Sequence, residues 1–176
     1  MDIVVDDALI NVVRHVFDFD IRVLEMTDAS VSAVATGDPV HHVAIASPTY
    51  LAEHGTPETP ADMTGHRRIQ WQRPGTDVPY GWWFQTDDCE VTVDVAGTLT
   101  VSHCDVAVAA AADSVGTAFV PEPHARSALA KGAVMPILTS YLPTSPGWSI
   151  CHLRGIRLSP ATQGVLTYLL GANRHE

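Results

Sequence analysis

Short apolar runs alternate with helix-spaced apolar positions along the first part of the chain. Residues 2–5 form a β-branched run that predicts a strand. Asp6 or Asp7 is placed to cap a helix by accepting backbone N–H bonds. Leu9, Val12, Val13, Val16 and Phe17 then recur at helical spacing, so the helix runs to about Phe17. Residues 19–24 and 40–46 predict a second and a third strand. Strand, helix and strand in this order imply a βαβ unit and a largely parallel sheet. Ser47-Pro48 breaks the third strand and opens a short helix ending at Gly55. A Thr-Pro-rich turn follows, with a second short helix opened by Pro60.

The middle changes character. Residues 67–71 predict a strand, and 74–81, with prolines, glycines and Asp77, a loop. Residues 82–85 and 90–95 read as a hairpin around Asp87-Asp88, with Val91, Val93 and Val95 on one face and Thr92 and Asp94 on the other. Strand resumes at 99–101. Ser102 is read as the N-cap of a helix from His103 to about Ala112, stopped by Gly116. Residues 117–120 form a buried strand closed by Pro121. A helix over 122–130 ends at Lys131-Gly132, a base and then a glycine at the negative helix end. Strands at 133–138 and 148–153 precede a last helix opened by Pro160. Val165/Leu169 and Leu166/Leu170 are its i,i+4 pairs.

Composition narrows the function classes. The chain has 176 residues, with 46% hydrophobic and 17% charged, which suits one folded domain or two small lobes and argues against disorder. Its formal net charge of −10 repels phosphate backbones, so direct nucleic-acid binding by this chain is not expected. Three cysteines without C-x-x-C spacing fit a reducing cytoplasm better than a disulfide framework. The longest apolar run, 106–112, is too short to span a bilayer, and the acidic start MDIVVDDAL is unlike a signal peptide. G-x-S-x-G, G-x-G-x-x-G, P-loop and H-E-x-x-H motifs are all absent, so no catalytic residues and no cofactor are assigned. His41 and His42 adjoin on a strand and point to opposite faces, so they cannot share a metal. His103-Cys104 implies no third ligand, and no metal site is assigned.

An ordered set of motifs resembles the effector-binding domain of LysR-type transcriptional regulators. It comprises the acidic-start helix with Phe17-Asp18-Phe19-Asp20 and Ile21-Arg22, then Ser47-Pro48, Tyr50-Leu51, His54-Gly55, Pro57, Pro60, Asp62 and Gly65-His66. Trp83-Phe84, the Val93, Val95, Gly97 strand, Asp113 to Pro121 and Lys131-Gly132 follow in order. The resemblance covers almost the whole chain. It implies an α/β, two-lobed periplasmic-binding-protein-like (type 2) fold. Residues 1–46 and 149–176 would form the first lobe and 47–148 the second, with a ligand cleft between them. Where the family usually has Gly-x-Gly, this chain has Ser114-Val115-Gly116. The resemblance also implies that Met1 falls at the second strand of the first lobe, which is then incomplete, with neither a winged helix-turn-helix nor a linker helix. The chain is therefore read as a fragment, or as one whose missing strand a partner supplies.

The family places its effector against strand ends and helix N-termini, where free N–H groups suit a carboxylate. That reading singles out Arg22, Ser47, Ser102, His103, Phe119, Val120 and Trp148. Each has a plainer role: a surface ion pair for Arg22, a helix cap for Ser47, a plain N-cap for Ser102 and His103, core for Phe119 and Val120, hinge packing for Trp148. The expected function is effector sensing and oligomerisation in a cytoplasmic LysR-type regulator, with an anionic or aromatic metabolite as ligand. Expected partners are a second copy or a full-length regulator, with neither DNA nor membrane contacted directly. Two other readings stay open: a stand-alone, dominant-negative partner of intact regulators, and a solute-binding protein.

Overall fold

The structure, a computed structural model, describes residues 17–23, 31–36, 38–72, 79–86, 89–93, 97–145, 147–155 and 158–172. The strand expected at 2–5, the body of the helix after Asp6, and Asp87-Asp88 lie outside them. In chain order the elements are β1 (Asp20–Val23), β2 (Val31–Ala35), β3 (Val40–Ala46), α1 (Pro48–His54), β4 (Arg68–Trp71), β5 (Trp82–Gln85), β6 (Glu90–Val93) and β7 (Leu99–Val101). They continue with α2 (Cys104–Ala112), β8 (Thr117–Pro121), α3 (Glu122–Ala130), β9 (Met135–Ile137), β10 (Thr144–Ser145), β11 (Trp148–Leu153) and α4 (Pro160–Ala172). They fall into two compact units, one built on His41–Pro143, the other on Ile10–Val40 and Thr144–Glu176. The sequence divides the lobes elsewhere, at 46/47 and 148/149, because β3 reads there as the close of a βαβ unit. Pairing instead joins β3 to β8 and β9.

In the unit built on His41–Pro143, the sheet runs in the order β3, β8, β4, β7. β3 is antiparallel to β8, while β4 is parallel to both β8 and β7. The strand period of two sends alternate β3 and β8 residues to opposite faces. Val43, Ile45, Ala118 and Val120 pack with Ala107, Val108 and Ala111 of α2 and Ala125 of α3. Ala44, Ala46 and Phe119 pack on the other face with Tyr50, Leu51, Met63, Trp82 and Phe84. The alanine-rich face of α2 lets its backbone lie close to the sheet. The β5–β6 hairpin is antiparallel, with Trp82 opposite Val93 and Phe84 opposite Val91.

Local chemistry sets the ends of these elements. Ser47 caps α1, its Oγ accepting from the Tyr50 N–H at 3.0 Å, a bond worth about 1 kcal/mol. Gly55 ends that helix with φ 83°, where a side chain would be strained. The short helix opened by Pro60 is a 3-10 helix, Pro60–Gly65. Asp62 accepts from the Thr59 N–H at 2.7 Å, and those bonds hold its carboxyl below the usual range. The turn before β8 is tight. Ser114 has φ 63°, and a Cβ on Gly116 would sit 2.4 Å from the Arg67 carbonyl oxygen. Ser114 Oγ hydrogen-bonds Ser47 Oγ at 2.7 Å, which offsets part of the cost of that left-handed backbone.

In the other unit β11 lies between β1 and β2, antiparallel to both. This corrects the largely parallel sheet expected there, since the returning strand inserts between two strands that precede it by more than a hundred residues. β2 has no counterpart in the sequence reading. Ser159 opens α4, its Oγ accepting from the Thr162 N–H at 3.1 Å. No helix among the described residues is long and apolar enough to cross a membrane.

Candidate functional site

Parallel strands followed by helices bring several chain segments to one end of the His41–Pro143 unit. β4, β7 and β8 all end there, at Trp71, Val101 and Pro121. β3 runs the other way and starts there, with His42 opposite Pro121. α2 and α3 begin at this end, so their free N–H groups and positive dipole ends collect beside the first residues of β3. The chain enters from the other unit at this end as well, through Val40 and His41.

Ser102 and His103 lie at this end, and the helix cap falls one residue later than the sequence reading placed it. His103 is the N-cap, with extended backbone and Nδ1 accepting from the Asp105 N–H at 3.4 Å; Ser102 is exposed in the bend before it. The helix starts one residue later than expected because the imidazole reaches the free N–H. Ser47 sits at the opposite end of β3, separated from His41 by the length of a seven-residue strand, about 20 Å. It is buried at the base of the sheet, hydrogen-bonded to the half-buried Ser114. Phe119 and Val120 have 0% exposure and point into different cores, the packing role left open by the sequence.

Arg22 and Trp148 belong to the other unit. Within its sheet Arg22 pairs with Ser149 and Val23 with Trp148. Thr36 donates its N–H to the Trp148 carbonyl at 2.7 Å. All of these stand at the end of the sheet from which β2 leads out and into which β11 leads back. Trp148 is half exposed, while the Arg22 side chain lies outside what the structure describes.

Polar groups unassigned by the sequence reading complete the first of these two ends. His124, in the first turn of α3, donates from Nδ1 to Asp105 Oδ1 of α2 at 2.7 Å. Asp105 Oδ2 lies 3.7 Å from His103 Nδ1, and the two imidazoles stand edge to face with centroids 6.4 Å apart. Glu122 is paired with Arg126 at 3.1 Å, which holds its carboxyl below the usual range; His41 contributes to the same shift. Local periodicity carries no signal for this grouping, which depends on the register of β8 against β3 and β4. Among the described residues no three His, Cys, Asp or Glu side chains are placed to hold a metal.

His41 and His42 face opposite ways, as strand alternation requires: His41 is exposed and His42 is 3% exposed. The His42 ring stacks on Phe119 at 5.3 Å and leans on Trp83 at 4.9 Å; its Nε2 is hydrogen-bonded by the Tyr80 hydroxyl at 2.9 Å. Burial, with a smaller contribution from His41, lowers the His42 pKa to about 4. At neutral pH this histidine is an uncharged core residue.

The fold is the mixed α/β, periplasmic-binding-protein-like type 2 fold of LysR-type regulatory domains. The regulatory domain of AphB from Vibrio vulnificus superposes with a TM-score of 0.73 at 18% identity, covering 93% of this chain and 78% of that one. The CrgA regulatory domain from Neisseria meningitidis gives 0.69 at 21%, covering 95% and 80%. The family model of the LysR substrate binding domain matches residues 1–174, and the chain belongs to that family. A Pseudomonas aeruginosa protein provisionally named a transcriptional regulator is 30% identical over 86% of this chain and 49% of its own length. The HTH-type regulator YcaN of Escherichia coli is 24% identical over 96% and 55%. The chain thus spans about half the length of the curated relatives it matches.

Proposed function

We propose that this chain senses a small-molecule effector for a LysR-type transcription regulator, and that the ligand engages the end of the His41–Pro143 unit where α2 and α3 begin. The observation that carries the reading is convergence. Ser102, His103 and the starts of α2 and α3 share one end of the His41–Pro143 unit; within the other unit, Arg22 and Trp148 share one end of its sheet. Helix starts suit a carboxylate, and a half-exposed indole suits an apolar or aromatic body. Phe119, Val120 and Ser47 play no part in this reading. A ligand that favours one arrangement of the units shifts their population by its differential affinity. Coupled to oligomer geometry, that shift would alter how attached DNA-binding domains meet DNA; a cytoplasmic setting follows from this role.

Thermal melting of the chain with benzoate, succinate and a wider set of small carboxylates and aromatics tests the proposal. A stabilising compound is expected whose effect is lost in Ser102→Ala. Failure of every compound to shift the midpoint, or a shift that Ser102→Ala retains, would refute it.

A further inference from the structure

We infer that the corner between Gly55 and Arg67 is an acid-operated strap, held shut by His66 packed uncharged against Tyr50 and released when that imidazole takes up a proton. The corner stands where β3 has finished and β4 starts, at the end of the His41–Pro143 unit opposite His41 and away from the helix starts assigned to the effector.

Tyr50 is the post of this corner. Its ring is fully buried, and its hydroxyl accepts the Arg67 N–H at 2.8 Å, which ties α1 to the start of β4. Three further groups lie against the ring. His54, the last residue of α1, stacks on it with centroids 4.3 Å apart. His66 leans on it at 5.8 Å, and the Arg67 guanidinium carbon lies 5.3 Å from its centroid. Fixed points bound the strap. Gly55, with φ 83°, donates its N–H to the Leu51 carbonyl, and the Arg67 carbonyl accepts the Thr117 N–H at 2.8 Å. Between them the 3-10 helix closes on its own bond, from the His66 N–H to the Met63 carbonyl at 3.2 Å. Within the strap Pro57, Pro60 and Met63 are buried and His66 is half-buried, while its other residues are exposed. Few apolar side chains seat it, so the His66 ring counts for much of its hold.

Protonation works against that hold. His66 Nδ1 is buried and has no hydrogen-bond partner. A neutral imidazole with its proton on Nε2 leaves only a lone pair there. An imidazolium carries a second N–H at that atom, with no acceptor for it. Burial, and then repulsion from His54 on α1, hold the His66 pKa below its ordinary value. Asp62 of the 3-10 helix pulls the other way by less; its Oδ2 already accepts from the Thr59 and Glu58 N–H groups at 2.7 and 3.1 Å. Arg67 sets a permanent positive charge over the same Tyr50 ring. Glu53 of α1, Glu58 of the strap and Glu90 of β6, which packs on the 3-10 helix, are exposed and do not act on His66. The pKa is lowered in the closed strap and ordinary in the open one, so the open form holds more protons. His66 therefore keeps the strap shut above about pH 6.5 and favours opening as pH falls below it.

Amide exchange followed by NMR at pH 7.5 and 5.5, with each rate divided by its intrinsic value, tests the inference. Protection at the His66 and Arg67 amides should fall severalfold on acidification, with a ceiling of about tenfold set by an ordinary histidine pKa of about 6.5. In His66→Gln that fall should vanish, while the acid sensitivity of the sheet amides at Ala44 and Phe119 remains. In His42→Phe the fall at the strap should persist. Titration of the His66 Cε1 proton in the wild-type chain needs no variant to fold; its midpoint should lie below about 6.5 and rise in His54→Gln. A wild-type midpoint at or above that value, strap protection equal at the two pH values, or a fall that His66→Gln retains would each overturn the inference.

Discussion

Acidification from about pH 7.5 to about pH 5 should destabilise this fold by roughly 2 kcal/mol through His42 alone. The ring is buried among Phe119, Trp83 and Tyr80, and its pKa is lowered from 6.5 to about 4. The unfolded chain therefore binds a proton between those values while the folded chain does not. Stability rises with pH wherever the unfolded state holds more protons. The contribution is complete above about pH 6.5, falls as pH drops below it, and is lost by about pH 4. Full loss amounts to about 3 kcal/mol, from roughly 1.4 kcal/mol per pKa unit, a large part of a typical net stability of ~5–15 kcal/mol. Urea melts followed by tryptophan fluorescence, run on wild type and His42→Phe at both pH values, isolate this residue from the carboxylates. Phenylalanine preserves the ring contacts and forgoes the Tyr80 hydrogen bond, so the variant starts roughly 1 kcal/mol lower at pH 7.5 but loses about 2 kcal/mol less on acidification. Equal acid sensitivity in the two proteins would refute the assignment of His42 as a buried neutral histidine.

Gly116→Ala should destabilise by about 3 kcal/mol or more, because its Cβ would meet the Arg67 carbonyl oxygen at 2.4 Å; a melt within 0.5 kcal/mol of wild type would contradict that close approach. Ser47→Ala should cost about 1 kcal/mol through the α1 cap and its bond to Ser114, with little effect on any effector, since Ser47 stands at the far end of β3. Phe119→Ala should cost about 3–5 kcal/mol, as its fully buried ring meets Trp82, Trp83, Phe84 and His42; chemical denaturation measures both.

Where information was local, the sequence carried it well. Ser47-Pro48 and Gly55 bound α1 as expected, and strand alternation separated His41 from His42. The unusual serine in the turn before β8 proved to carry a left-handed backbone, φ 63°, where a glycine would be easier. Long-range pairing was not legible. β11 enters between β1 and β2 from far along the chain, and β2, VSAVA, has too few bulky residues to announce a strand. The site was legible in part for the same reason. Ser102 and His103 follow visibly from a strand-to-helix junction. Asp105, Glu122 and His124 join them only through the parallel register of β4, β7 and β8. Phe119 and Val120 end a strand at the right place, yet alternation directs each into a different core.

Hydrogen exchange of the chain, with and without a compound that raises its melting midpoint, tests effector sensing most directly. Protection is expected at three places in the His41–Pro143 unit at once: His41, Ser102–Asp105 and Glu122–His124. Absence of protection there, or protection centred on Ser47 and the opposite end of β3, would contradict it.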